Sequence, residues 1–384
     1  MNKQSFSSNK NIFIGLALAV FIGILIRGAS KGVDRAQFTQ ERQEDIEIIA
    51  ENLNIPWEAA FLPDNEILIT ERPGTLLLLK NKQKIPISGV EHIGEGGLLG
   101  LAIHPNFSSN HWIYLYYTYQ INGETYNKIV RFEYSVVELA VACLDNKPDC
   151  NSAATPRLAL SKIIVDKIPA TPNHNGGRIK FGPDGYLYIT TGDAQNPSQA
   201  QNINSFAGKV LRVTDGGNPA PGNPFSSLIY SYGHRNSQGL AWDDKGRLWA
   251  TEHGRSGVQS GFDELNLIEK GKNYGWPVIQ GDQTKEDMVN PVIQSGEDIT
   301  WAPAGAVFYE GSIFFGGLRG EALFEYKIAD KGLKRHFQGQ FGRIRAVVLG
   351  PDNYLYITTS NTDGRGNPKE NDDKLIKINP KVLK

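Results

Sequence analysis

Soft metal ligands are scarce in this chain. Its two cysteines and seven histidines are scattered over 384 residues, so a zinc finger or an iron–sulfur cluster lacks its ligand set. Charge of one sign is also missing. Lys plus Arg is 40 and Asp plus Glu is 41, a net charge of −1, which excludes a surface built to neutralise a nucleic-acid backbone. Amphipathic helical stretches of any length are nearly absent, which argues against an α/β fold, where helices would run between the strands. Hydrophobic residues make up 40%, the share of a soluble protein with a proper core and not of a polytopic membrane protein. Turn-forming residues are plentiful, with 41 Gly and 20 Pro.

The one long uncharged run lies near the N-terminus. Lys3 and Lys10 precede residues 11–26, which are apolar after Asn11 and are closed by Arg27. That run is short of the ~20 residues that span a bilayer. A basic start and a short apolar core are the parts of a secretory signal, and Gly28-Ala29-Ser30 supplies small residues for cleavage. Residues 1–30 therefore read as a signal peptide or a retained N-terminal anchor, residues 31–50 as a polar linker and residues 51–384 as the folded domain. Export to a periplasmic or extracellular compartment follows. There Cys143 and Cys150, flanking a hydrophilic loop, suit a local disulfide worth roughly 2–3 kcal/mol. Two free surface thiols are the alternative.

The chain repeats itself. FGPDGYLYITTGD at 181–193 and LGPDNYLYITTSN at 349–361 share GPD and YLYITT. FLPDNEILITERPG at 61–74 and WDDKGRLWATEHG at 242–254 are looser copies, and degenerate ones stand at 104–119 and 308–317. Each reads as a tight turn followed by a strand of period two. The turn positions Asp64, Asn106, Asp184, Asp244, Glu310 and Asp352 are spaced by 42, 78, 60, 66 and 42 residues. Six copies of about 40–50 residues with insertions predict an all-β, six-bladed propeller of four-stranded antiparallel blades.

A propeller does not define its function. Polar residues that serve no strand pattern concentrate at 171–178, 232–240, 251–266 and 342–346. His174 sits between two asparagines ahead of Gly176-Gly177, the setting of a general base close to a ligand, although a plain turn histidine would look the same alone. Arg235-Asn236 reads as a ligand pair or a solvated turn. Arg343 and Arg345 alternate on one strand, and two like charges side by side call for an anion or carboxylate between them. Glu252, Asp263 and Glu264 in a glycine-rich loop offer hard oxygen ligands of the kind Ca²⁺ takes.

These residues resemble the soluble quinoprotein glucose/sorbosone dehydrogenase family, the PQQ-dependent aldose sugar dehydrogenases. The likeness runs from about Asn54 to Ile378 and is carried in order by LNIPWEAAFLPD, GEGGLLGLAIHPNF, NHNGGRIKFGPDGYLYITTGD, YGHRNSQGLAWD, DELNLIEKGKNYGWP and GRIRAVVLGPDNYLYITT. It implies a propeller holding pyrroloquinoline quinone (PQQ) and Ca²⁺ on its axis and oxidising aldoses at C1. It further implies His174 as the base and Arg235 at the quinone C5 side, with Asn236 on the neighbouring oxygen. Arg343 and Arg345 would clasp cofactor carboxylates. The carbonyls of Gly254 and Arg255 would bind the catalytic calcium, and Asp263, Glu264 and Tyr274 a second, structural one. Trp301 would stand at the mouth of the sugar pocket. Two positions depart from the pattern: Glu95 replaces a cofactor-contacting Gln, and Arg319 replaces a Lys near the cofactor carboxylates. An external electron acceptor is implied but not identified, and a homodimer or an N-terminal membrane anchor is compatible with the family. A calcium-dependent lactonase with a carboxylate cage and a non-catalytic binding propeller are the rival functions.

Overall fold

The computed structural model describes residues 45–138, 154–257 and 260–383. The N-terminal signal or anchor, and Cys143 and Cys150 with their expected disulfide, lie outside the described residues. Among the described residues no helix is long and apolar enough to cross a membrane. Residues 48–378 form one compact unit, and the terminal residues 45–47 and 379–383 belong to a second, small one.

Six four-stranded antiparallel sheets follow one another along the chain. Blade 1 is β2 (Pro56–Phe61), β3 (Ile67–Glu71), β4 (Thr75–Leu78) and β5 (Gln83–Pro86); blade 2 is β6 (Leu98–Ile103), β7 (Trp112–Ile121), β8 (Glu124–Glu138) and β9 (Ala154–Pro169). Blade 3 is β10 (Ile179–Phe181), β11 (Leu187–Thr190), β12 (Lys209–Val213) and β13 (Ile229–Tyr232). Blade 4 is β14 (Ser237–Trp242), β15 (Leu248–Glu252), β16 (Glu264–Ile268) and β17 (Ile293–Gln294). Blade 5 is β18 (Pro303–Tyr309), β19 (Ser312–Gly317), β20 (Ala322–Lys327) and β21 (Gly332–His336). Blade 6 joins the ends of the chain: β22 (Ile344–Leu349), β23 (Leu355–Thr359) and β24 (Leu375–Ile378) take β1 (Ile46–Ala50) as the outer strand. The only α-helix among the described residues, α1 (Phe107–Asn110), is a single turn.

Each sequence repeat is the turn between the first and second strand of a blade, and its side chains have structural tasks. Asp184 Oδ1 accepts the Tyr186 N–H at 3.2 Å while its Oδ2 accepts the Tyr188 hydroxyl at 2.9 Å. Asp352 does the same for Tyr354 and Tyr356. In blade 4 the capping residue is Asp243 rather than Asp244, because Asp243 receives the Lys245 and Arg247 N–H groups and the Trp249 indole. The uneven spacing also has a cause. The interval of 78 holds β8 and β9, of 15 and 16 residues, and the later insertions are the loops around β12 and between β16 and β17.

A second repeated residue shapes the centre. Thr70, Thr190 and Thr358 each accept an inner-strand N–H, from Glu58, Arg178 and Ala346 respectively, at 3.0–3.1 Å. At β2, β14 and β22 the inner strand shifts register near this point, between Pro56/Glu58, Ser237/Gly239 and Ile344/Val347. A bulge re-aims side chains that a regular strand would send elsewhere. It places Gln238 and Arg345 in the wall of the central cavity.

Candidate active site

Loops entering each inner strand, and loops joining second to third strands, end on the face opposite the repeat turns. There they enclose a cavity of about 550 Å³ that draws lining residues from all six blades. A buried ion pair between Arg178 and Glu58 lines a separate cavity along the inner strands, and the guanidiniums of Arg178 and Arg345 lie 4.2 and 5.9 Å from the Trp57 ring centre.

His174 lines this cavity on the loop between β9 and β10. Its backbone is left-handed, with φ at +60°, and its N–H donates to Glu95 Oε2 at 2.9 Å. The ring Nδ1 meets Asp193 Oδ1 at 2.8 Å, and Asp193 is itself fixed by the Trp276 indole N–H at 2.9 Å and the Gln195 N–H at 2.8 Å. A carboxylate at Nδ1 makes that nitrogen the donor and leaves Nε2 with a free lone pair. Gly176 serves the packing of this loop and not a ligand: a Cβ there would come within 2.6 Å of the Thr190 carbonyl.

Seven arginines face three carboxylates across the cavity wall, a formal excess of four positive charges. Arg72, Arg235, Arg343 and Arg345 are buried. Burial lowers the pKa of Arg235, and lowers that of Arg345 to about 9, so both remain cations at neutral pH. The Nε atoms of Arg235, Arg255 and Arg345 and Nε2 of His253 are buried without a partner. Arg235 is otherwise anchored by its N–H to Glu252 Oε1 at 2.5 Å and by Nη2 to Ser256 Oγ at 2.7 Å. Burial drives His253 down to about 3, so its imidazole stays neutral. Arg343 and Arg345 do face one way, and the carboxylate between them comes from the chain itself. Asp363 Oδ2 lies 2.8 Å from Arg343 Nη2 and 3.7 Å from Arg345 Nη2. Arg345 Nη1 donates to Gln238 Oε1 at 2.7 Å, and Arg343 also donates to the carbonyls of Ser360 and Leu318.

Glu95 lines the cavity with both carboxylate oxygens engaged. Arg365 pairs with its Oε1 and the His174 N–H occupies Oε2. Burial alone would raise its pKa, but Arg365 and that N–H outweigh it and hold the carboxyl at about 2. Arg319 lines the cavity from its exposed rim and donates to Ser260 Oγ at 3.4 Å.

Several expected contacts are not where the sequence put them. Trp301 is only 3% exposed and packs on Phe315 and Phe324 at ring separations of 5.9 and 5.6 Å, so it belongs to the core of blade 5 and not to the cavity mouth. Asn236 is fully buried behind the cavity wall, where its Oδ1 accepts the Gly176 N–H at 2.9 Å. Asp263, Glu264 and Tyr274 do not form one ligand set. Asp263 spends both oxygens on the backbone N–H groups of Gly254, Trp301 and Ala302, at 2.8, 2.6 and 2.9 Å. Glu264 and Tyr274 line a second, small cavity with Glu252. Burial, and then Glu252, raises the Glu264 carboxyl to about 8. Gly254 and Arg255 line both cavities, and the Arg255 carbonyl already accepts the Gly261 N–H at 3.3 Å. Among the described residues no group of three acidic, histidine or cysteine side chains converges as a metal cluster.

Sequence reasoning overlooked Asp193, His253, Asp363 and Arg365. Asp193 had a signal: it ends the blade 3 repeat where the blade 6 copy has Asn361. Asp363 and Arg365 sit in a polar loop, 361–374, with no pattern to mark them.

The glucose/sorbosone dehydrogenase family profile matches residues 53–375. The chain is 30% identical to the aldose sugar dehydrogenase YliI of Escherichia coli, over 88% of this chain and 93% of that one. It is 32% identical to quinoprotein glucose dehydrogenase B of Acinetobacter calcoaceticus, over 71% of this chain and 61% of that one. The PQQ-bound structure of an aldose sugar dehydrogenase from Streptomyces coelicolor superposes with a TM-score of 0.73 at 39% identity, covering 87% of this chain and 97% of the other. With its fold, its arginine-lined axial cavity and a family match over most of its length, this chain belongs to the glucose/sorbosone dehydrogenase family.

Proposed function

We propose that the chain is a PQQ-dependent dehydrogenase that oxidises aldose sugars at C1 to the lactone. The observation that carries this reading is the excess of arginine around a His–Asp pair in one axial cavity. A cofactor with three carboxylates needs cations that are already desolvated and aimed, and the orphaned Nε atoms of Arg235 and Arg345 are donors of that kind. Arg343, Arg345 and Arg319 would hold the carboxylates, and Arg235 would lie against the quinone. PQQ bound there supplies a two-electron acceptor for the hydrogen on the sugar C1.

The chain's own residues supply the proton chemistry. Asp193 fixes the His174 tautomer, so Nε2 is the atom that accepts the C1 hydroxyl proton. The Trp276 and Gln195 donors keep Asp193 from turning away. Neutral His253 adds a polar wall without adding charge.

Calcium fits the small cavity better than the set expected from sequence. Glu252 and Glu264 line it beside Tyr274, and the Glu264 carboxyl, which burial holds toward its acid form, is stabilised as an anion by a hard cation. Asp263 has both oxygens engaged by backbone N–H groups, and Glu252 has its two engaged by the Arg235 N–H and the His234 ring, so Glu264 is the carboxylate left for the ion. Gly254 and Arg255 remain the candidates for a calcium beside the cofactor, where the ion would act as a Lewis acid. An arginine excess is the opposite of the carboxylate cage a lactonase would need. The basic, apolar N-terminal segment supports export. Reconstituting purified apoprotein with PQQ and Ca²⁺ and following dye reduction with a panel of aldoses tests the reading; no sugar-dependent reduction would overturn it.

A further inference from the structure

Glu95 and His174 come from two blade junctions and Arg365 from a loop within blade 6, and the three meet at the cavity rim. Glu95 lies on the loop before β6, His174 on the loop before β10, and Arg365 on the loop between β23 and β24. The first two loops are in direct backbone contact. Glu95 N–H donates to the Pro172 carbonyl at 2.7 Å, and a Cβ on Gly94 would stand 2.1 Å from that same oxygen. Arg365 then spans both loops: Nη1 pairs with Glu95 Oε1 and Nη2 donates to Asn173 Oδ1 at 2.6 Å. The other Glu95 oxygen holds the N–H of His174, the residue whose backbone sits at φ +60°. A non-glycine residue in that region persists only where its surroundings hold it.

Glu95 also has other cations within reach. Its charge is felt by Arg72, Arg235 and Arg345, the buried arginines of the same cavity. A carboxylate released from Arg365 would turn toward these groups and take the place of an anionic ligand. Arg365 itself is half-exposed, with 53% of its side chain accessible, whereas Glu95 is only 16% accessible. The pair therefore fixes the direction of the better-buried partner.

We propose that Arg365 is a positioning residue that acts through Glu95: it clasps this wall carboxylate against the His174 backbone and so keeps it from turning toward the other arginines of the anion-binding cavity. The inference rests on the dehydrogenase reading above for the identity of the anion, but the geometry of the clasp is independent of it.

The sign of a double substitution tests it. Removing Arg365 alone frees a competing carboxylate; removing the carboxylate as well leaves a glutamine that can still accept the His174 N–H. Titrating apoprotein with PQQ by tryptophan fluorescence, Arg365→Ala is expected to bind about tenfold or more weakly than wild type, and Glu95→Gln/Arg365→Ala to return to within about threefold, a coupling of the size seen for neighbouring groups. A cofactor-free readout accompanies this: the rate of carbethoxylation at His174, followed by mass spectrometry, should rise severalfold in Arg365→Ala and fall back in the double variant. If wild type fails to bind PQQ, the functional reading falls and the labelling rates alone decide the clasp. Unchanged labelling in Arg365→Ala, or a double variant as impaired as the single one, overturns the proposal.

Discussion

Asp363→Asn is the most informative single perturbation of the cavity. The side chain is 2% exposed and stands between two guanidiniums that are 8% and 5% exposed. Both arginines hold its carboxyl below the ordinary range against the opposing effect of burial. The amide removes the negative charge but keeps the shape, so Arg343 and Arg345 are left buried and facing each other without compensation. Breaking a buried pair in this way costs about 3–5 kcal/mol. For a unit of this size, with an unfolding entropy of about 2.1 cal/mol/K per residue, that lowers the melting temperature by roughly 4–7 °C. Differential scanning calorimetry of the apoprotein reads the loss directly. Anion binding should then repair part of it, because a carboxylate ligand supplies the charge that was removed. PQQ is accordingly expected to raise the melting temperature of Asp363→Asn by more than it raises that of wild type. An apo variant that melts with the wild type would refute the reasoning, since the two arginines would then need no counter-charge from the chain.

Replacing His174 by Ala should leave PQQ binding intact while sugar-dependent turnover falls by ~10²–10⁴, the usual contribution of a general base, as measured by dye reduction in reconstituted protein. Asp193→Asn should lower kcat more than it changes KM for sugar, because the amide permits the wrong imidazole tautomer while the cavity keeps its shape; an unchanged kcat would remove Asp193 from the site. Calcium should raise the melting temperature, EDTA should reverse the gain, and Glu264→Gln should abolish it. Because the Glu95 carboxyl is depressed to about 2 from an ordinary 4.5, its contribution to stability is present above pH 4.5 and is lost as pH falls toward 2. Melting curves of wild type and Glu95→Gln should therefore differ most above that window and converge at its acid end.

The fold was legible because the repeated residues do repeated work. An aspartate that caps a turn and takes a tyrosine hydroxyl serves blades 3 and 6, and a threonine that pins an inner strand serves blades 1, 3 and 6, so both recur at multiples of the blade spacing. The site was legible only where glycine and polar runs interrupted strand pattern, which singled out His174, Arg235, Arg343 and Arg345. Trp301 was placed at the pocket mouth by the family resemblance alone, whereas its packing on Phe315 and Phe324 puts it in the core of blade 5. Asp363 and Arg365 were invisible for a different reason. Their partners are far away in sequence, Arg365 being 270 residues from Glu95, and no periodicity links two loops that meet only when the ring of blades closes.

That closure bears on the departures from the family pattern as well. Taken by itself, Glu95 puts a negative charge where an anionic cofactor is expected, and Arg343 with Arg345 puts two positive charges side by side. Each is a conflict that a neighbouring residue in sequence cannot resolve. Both are resolved from one loop of blade 6, where Asp363 answers the arginine pair and Arg365 answers Glu95. The two answers are also tied together, since the Arg365 N–H donates to Asp363 Oδ1 at 2.9 Å. A loop without sequence pattern thus sets the charge of the cavity from one side. Shortening it should leave the repeat-built blades folded while removing the counter-charge of one anion-binding wall and the restraint on the other. The blades and the chemistry are in this sense separable: the first depends on residues that recur, the second on residues that occur once.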